Sequence, residues 1–228
     1  MIGIICAMDI ELETIKHLSV ESITESVGYF KFIKGKIHGI ETVMCVSGVG
    51  KVFAALCAHT MIMRFSPDLI INVGVGGNLT STLKIGDITI SENLVQHDMD
   101  TTPLGDPPGM ISGINIIKFE CDKKIVDKIC CICKEIGINY KKGTIATGDR
   151  FIASKEEKTR LVNTFSAVSC DMEGAAIAQA CYINNVPFVV IRALSDDADN
   201  ASPSDFSEFC KTSAIKSAQL VENFIKAY

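Results

Sequence analysis

Ile2-Gly3-Ile4-Ile5-Cys6-Ala7-Met8-Asp9-Ile10-Glu11 is a short unbroken apolar run that passes into an acidic segment of helical character. An apolar run without alternation marks a strand covered on both faces, as in a parallel sheet flanked by helices. The stretch therefore reads as a buried strand feeding a helix, with the first candidate chemistry at their junction. The same unit recurs downstream. Buried strands are expected over 68–73, 87–91, 143–147, 167–171 and 186–194. Helices are expected over 51–65, 122–136, 155–163 and 173–183, and from 204 onward after the start signal Ser202-Pro203. Two alternating segments, 28–35 and 36–47, meet at His38-Gly39 and read as a hairpin.

Strands alternating with helices predict an α/β fold: one three-layer domain over 1–228, with a mixed, largely parallel central sheet flanked by helices. In such sheets ligands gather where strands end. Met8 to Glu11, Gly74 to Gly77, Met172-Glu173 and Ser195-Asp196 all fall at expected strand ends. The irregular stretch 96–113, with Pro103, Pro107 and Pro108, is too long for a plain connection and is a candidate lid.

Composition narrows the function. The chain has 228 residues, 47% of them hydrophobic and 21% charged, enough for a sizeable core. A net charge of -5, from 27 acidic and 22 basic residues, offers no general attraction to a phosphate backbone, so nucleic acid is not expected as a partner. Of the ten cysteines, Cys6, Cys45, Cys57 and Cys181 sit in apolar patterns and read as reduced core residues. Cys130, Cys131 and Cys133 lack a second ligand pair at zinc-finger spacing, so no metal is expected. The first residues have no basic lead, and the charge-free stretch 174–191 is interrupted by Asn184, Asn185 and Pro187. Neither an export signal nor a membrane span is expected, which points to a cytoplasmic protein.

Three motifs carry candidate chemistry. Asn72-Val73-Gly74-Val75-Gly76-Gly77-Asn78 reads as a glycine-rich turn after an apolar strand. It is neither the dinucleotide fingerprint nor a P-loop, and it admits either close ligand approach or a plain tight exit. Ser169-Cys170-Asp171-Met172-Glu173-Gly174 sets two acids before an Ala-rich helix, where they would either cap the helix or grip sugar hydroxyls. Ile191-Arg192-Ala193-Leu194-Ser195-Asp196-Asp197-Ala198-Asp199 ends the most apolar strand in a burst of charge. Its Arg192 requires a partner, and Asp197 and Asp199 taken singly read as a solvated acidic loop.

Gly3-Ile4-Ile5-Cys6-Ala7-Met8-Asp9-Ile10-Glu11, Ser47-Gly48-Val49-Gly50-Lys51, Asp171-Met172-Glu173-Gly174 and Arg192-Ala193-Leu194-Ser195-Asp196, with Leu83-Lys84-Ile85-Gly86-Asp87, Thr147-Gly148-Asp149-Arg150-Phe151-Ile152 and Asn185-Val186-Pro187-Phe188-Val189-Val190, resemble the methylthioadenosine/S-adenosylhomocysteine nucleosidase family, nearly end to end and in the family's order. The resemblance implies a nucleoside phosphorylase-like fold, a homodimer, and hydrolysis of adenosine thioethers to adenine and a thio-ribose, with no cofactor. By motif match, Asp196 would protonate the departing adenine, Glu173 would hold the ribose hydroxyls, and Glu11 with Arg192 would place and activate water. Phe151 would stack on the base and Ile152 would bind its edge. Met8, Met172 and Phe206 would wall the sugar and thioether, with Val75, Ser195 and Ala198 also at the substrate. Thr101 and Leu104 would reach the site from the partner subunit.

The sequence departs from the family at Val75, where a Ser is usual, so Glu11 and Arg192 are expected to carry more of the water placement. It departs also at Thr101 and Leu104, where Val and Phe are typical. Two other readings compete with this one. A phosphorolytic enzyme would want cations where this chain offers Asp9, Glu11 and Glu13, and Asn72 stands where the phosphorylases carry Arg, so water is the expected nucleophile. A binding module that has lost catalysis is disfavoured because Glu11, Glu173 and Asp196 are all present.

Overall fold

The computed structural model describes residues 1–198 and 203–228; within 203–213 it describes the helix and not the side chains. The chain runs β1 (Ile2–Cys6), α1 (Asp9–Lys16), β2 (Val20–Val27), β3 (Phe30–Ile37), β4 (Ile40–Val46), α2 (Lys51–Phe65), β5 (Leu69–Asn78) and β6 (Ile88–Gln96). It continues with β7 (Phe119–Glu120), α3 (Lys123–Glu135), β8 (Tyr140–Thr147), α4 (Lys155–Phe165), β9 (Ala167–Asp171), α5 (Gly174–Ile183), β10 (Phe188–Asp196) and α6 (Pro203–Ala227).

Local chemistry sets several of these ends. Asp122 accepts the Lys124 and Ile125 N–H groups at the start of α3, and Ser154 accepts the Glu157 N–H at the start of α4. Helices α2 and α4 stop at Ser66 and Ser166, both in the left-handed conformation that frees the chain to turn.

The ten strands form one mixed sheet in the order β10-β6-β8-β9-β5-β1-β4-β3-β2, with β7 beside β6. Strand β10 also pairs with β5, so β10, β6, β8, β9 and β5 close into a ring from which β1, β4, β3 and β2 extend. Strand β1 pairs in parallel with β4 and β5, β10 with β5, and β6 with β8. The β2–β3–β4 meander and the β10–β6 contact are antiparallel. One core lies between the sheet and α1, α3 and α6, and includes Ile4, Leu12, Ile129 and Phe224. A second lies under α2 and α5, and includes Ile5, Cys57, Ala58 and Ile177. Small residues let α5 sit close: seven of its ten positions are buried, four of them Ala.

The structure corrects four expectations. The hairpin is a three-stranded meander, because 20–27 forms a further edge strand whose mostly exposed residues carry little hydrophobic signal. Strand β6 runs on to Gln96. The glycine-rich segment 72–78 is strand, not turn: β5 continues through it, hydrogen-bonded to β10 and β9. Finally, segment 96–113 is not a lid over its own chain's cavity, since none of its residues lines that cavity.

Candidate active site

Strand β5 pairs with β10 along one edge from Ile70 to Gly77. Its other edge is held first by β1, at Leu69 to Asn72, and then by β9, at Gly77 and Asn78. Strands β1 and β9 diverge between those points, and a cavity of about 560 Å³, open to solvent at its mouth, fills the gap. The segments that follow β1 and β9 and the end of β10 all empty into it, so three distant parts of the sequence each deliver a carboxylate. Glu11, Glu173 and Asp196 all line this one cavity.

The glycines of β5 make room for that convergence. A Cβ on Gly74 would stand 2.7 Å from Glu11 Oε1 and 3.3 Å from an Arg192 guanidinium nitrogen. One on Gly77 would stand 3.2 Å from Asp196 Oδ1 and 2.8 Å from Cys170 Sγ. These glycines serve close side-chain approach to a strand rather than a tight turn. Gly74→Ala is therefore expected to overpack the site and destabilise the protein by about 1–3 kcal/mol, read as a lower midpoint in urea unfolding at unchanged slope.

Glu11 lies in the first turn of α1 and is 3% exposed. Its Oε2 accepts the Ala7 and Met8 N–H groups at 2.9 and 3.0 Å, and its Oε1 accepts the Val75 N–H at 3.0 Å. Burial pushes its pKa up, against the lowering pull of Arg192 and the three peptide donors. An ionised carboxylate has about four lone-pair sites, so three peptide bonds leave about one for a water or ligand hydroxyl.

The two acids before α5 divide the roles that the sequence left open. Asp171 turns inward: its Oδ2 accepts the Gly174 N–H at 3.2 Å and pairs with Arg192 at 2.7 Å, while Thr147 donates to its Oδ1. Glu173 faces the cavity, its Oε1 accepting the Gly50 N–H at 3.0 Å and its Oε2 lying 3.7 Å from Arg192. Burial first, with the nearby Asp171 charge adding, raises Glu173 to about 7 despite Arg192.

Arg192, 1% exposed, is held by Asp171 and by Asn72, whose Oδ1 accepts from it at 2.5 Å. Asn72 in turn donates to the Ile5 carbonyl. The guanidinium thus sits beneath the acids, outside the cavity lining. Asp171 and Asn72 are partners that the strand pattern demanded but could not name.

Asp196, 6% exposed, accepts the Ser195 hydroxyl at 2.8 Å and the Ala198 N–H at 2.9 Å. Burial again raises its pKa; those two bonds and Lys158 oppose the shift, and Asp197 adds to it. Asp197 is exposed, as expected of a solvated loop, and is tethered there: Asn78 donates to its carboxylate and Lys158 to its carbonyl. Asp199 and the side chain of Phe206 lie outside the described residues.

Met8, Val75, Phe151, Ile152, Met172 and Ser195 line the same cavity, with Cys170 at its floor beside Gly77. Ile152 is buried while Phe151 is half exposed. Ala198 stands behind Asp196, in the left-handed conformation at φ 54°. Thr101 and Leu104 lie elsewhere: Thr101 donates to Asp106, and Leu104 is 83% exposed. Among the described residues no three His, Cys, Asp or Glu side chains are grouped so as to hold a metal ion, and no helix is long and apolar enough to cross a membrane.

With this geometry in view, the likeness to known proteins is specific. The phosphorylase superfamily model matches residues 1–226. The chain is 38% identical to the 5'-methylthioadenosine/S-adenosylhomocysteine nucleosidase of Staphylococcus aureus (strain JH9) over 226 residues, 99% of each chain. It superposes on the corresponding Neisseria meningitidis nucleosidase, solved in complex with methylthio-immucillin-A, with a TM-score of 0.96 and 34% identity, covering 100% of this chain and 99% of that one. It also superposes on native futalosine hydrolase of Helicobacter pylori strain 26695, with a TM-score of 0.95 and 34% identity, covering 100% and 97%. Full-length identity at this level, on the same fold, means that the chain belongs to the phosphorylase superfamily and, within it, to the 5'-methylthioadenosine/S-adenosylhomocysteine nucleosidase family.

Proposed function

We propose that this protein hydrolyses the N-glycosidic bond of 5'-methylthioadenosine and S-adenosylhomocysteine, releasing adenine and the thio-ribose, with Asp196, Glu173 and Glu11 in separate roles. The observation that carries the reading is three buried carboxylates from three strand ends around one cavity. Cleavage leaves positive charge on the ribose and negative charge on the departing base. It needs an acid on the base side and an anion on the sugar side.

Asp196 is the acid, because burial holds its carboxyl protonated further toward neutral pH. Glu173 is the anion, accepting the ribose hydroxyls and stabilising the oxocarbenium-like state. Glu11 receives the attacking water on its remaining lone pair. Arg192 acts from below, holding Asp171 and facing Glu173, so that the anionic form survives in a dry site. Phe151 and Ile152 flank the base, and Met8 and Met172 wall the sugar and thioether.

Water rather than phosphate is the nucleophile. Among the described lining residues the cation is Arg150, and it is paired with Glu157 at 2.8 Å. Residues 1–228 act as one domain, in the cytoplasm, on small adenosine thioethers and not on nucleic acid. The working form is a homodimer in which Thr101 and Leu104 complete the partner's site. The exposed Leu104 and the apolar stripe Val52, Leu56 and Met63 on α2, each more than half exposed, support that assembly.

The test is adenine release in phosphate-free buffer from 5'-methylthioadenosine, S-adenosylhomocysteine, 5'-deoxyadenosine and aminodeoxyfutalosine. Release without phosphate from the first two is the expected result. A strict requirement for phosphate or arsenate would overturn it in favour of a phosphorylase.

A further inference from the structure

Three residues outside the cavity lining close a ring of hydrogen bonds next to Glu173. The Lys51 N–H donates to Asp149 Oδ1 at 2.7 Å, the Asp149 N–H donates to Asp98 Oδ2 at 2.9 Å, and Lys51 Nζ returns to Asp98 Oδ1 at 2.7 Å. Lys51 Nζ also reaches Gln96 Oε1 at 3.2 Å. The ring ties the start of α2 to the residues just past β6 and β8. Its ionic side is sheltered, with the Lys51 and Asp98 side chains 19% and 21% exposed.

Gly50 precedes the ring directly, and its N–H is the peptide donor to Glu173 Oε1. Gly48 and Gly50 have φ of +91° and +100°, a region glycine enters freely and leaves as freely. The local chain therefore does not by itself aim this N–H; the flanking peptide must be held. Asp149 holds it through one oxygen: its Oδ1 accepts the Lys51 N–H and stands 3.1 Å from where a Gly50 Cβ would be.

We propose that Lys51, Asp98 and Asp149 are positioning residues that aim the Gly50 N–H at Glu173 and so fix the carboxylate that grips the ribose. This rests on the reading of Glu173 as the ribose-binding group. The three residues touch no substrate and act only through Gly50. Loss of the ring leaves the base subsite intact and selectively weakens recognition of the sugar hydroxyls.

The test is calorimetric titration of the full-length protein with 9-deazaadenosine, whose carbon-linked base resists hydrolysis, and with its 2',3'-dideoxy counterpart. The wild type is expected to favour the hydroxylated ligand by about 10- to 100-fold, the range for hydrogen bonds to a charged partner. Asp98→Ala is expected to narrow that preference to within about threefold by weakening the hydroxylated ligand alone, while Lys51→Arg, which keeps charge and reach, retains most of it. An Asp98→Ala variant that keeps the wild-type preference overturns the proposal. Should that variant not fold, Asp149→Ala takes the same test with the same two outcomes. A wild type with no preference for the hydroxyls overturns instead the reading of Glu173, and the ring's role with it.

Discussion

Asp196→Asn is expected to lower the rate of adenine release by about 10²- to 10⁴-fold, the contribution of a positioned general acid, while leaving the fold in place. The substitution is conservative at this site. Asn keeps an oxygen for the Ala198 N–H, and its amide can donate to Ser195, whose hydroxyl turns from donor to acceptor. What is lost is the transferable proton. The wild-type carboxyl is raised by burial, so its acid form persists further toward neutrality, and activity that depends on it declines as pH rises through that raised pKa. The measurement is kcat for adenine release alongside a thermal melt. Near-wild-type turnover in a folded variant would sink the assignment.

Glu173→Gln is expected to cost about 10²- to 10³-fold in kcat, as removal of a preorganised electrostatic group does, yet to stabilise the ligand-free protein at alkaline pH. A carboxyl raised from 4.5 to about 7 binds its proton more tightly folded than unfolded. Its stabilising contribution is complete below the unfolded value of about 4.5 and is lost as pH rises through about 7. A shift of that size corresponds to an effect on the order of 3 kcal/mol. Gln has no proton to lose, and its amide oxygen can still accept the Gly50 N–H. The variant's melting temperature should therefore gain on the wild type between pH 5 and pH 8. An equal difference at both pH values would show that Glu173 is not held as a strained anion. Substrate hydroxyls donating to Glu173 would relieve the same strain, which couples binding to ionisation.

Much of this was legible in the primary structure, and the exceptions share a cause. Strand β1, helix α3 and strand β9 follow the pattern closely because covered strands and amphipathic helices write their burial into local hydrophobicity. Strand β2 escaped because an edge strand in solvent has little burial to record. The segment 72–78 is strand where its pattern suggests a turn, because glycines permit a turn and a crowded strand equally. Only neighbours distinguish the two: Glu11, Arg192 and Cys170 come from 60 to 120 residues away in sequence and fill the space the glycines leave. The pair of acids before α5 posed the same problem. Nothing local separates Asp171 from Glu173 until Arg192 draws one inward and Gly50 holds the other at the cavity.

The alternation of strands and helices, the α/β class, and the placing of three carboxylates at strand ends follow from local pattern, since each depends on residues close together in the chain. Long-range packing alone makes β1 and β9 part along one edge of β5 and opens one cavity between them. The same packing makes one of two acids a residue apart, Asp171, a counterion while the other, Glu173, faces the substrate space. Those outcomes depend on burial and on partners brought from distant segments. The energy of a carboxylate is set by the water it loses and the donors it gains, and neither is a property of its own neighbourhood in the chain.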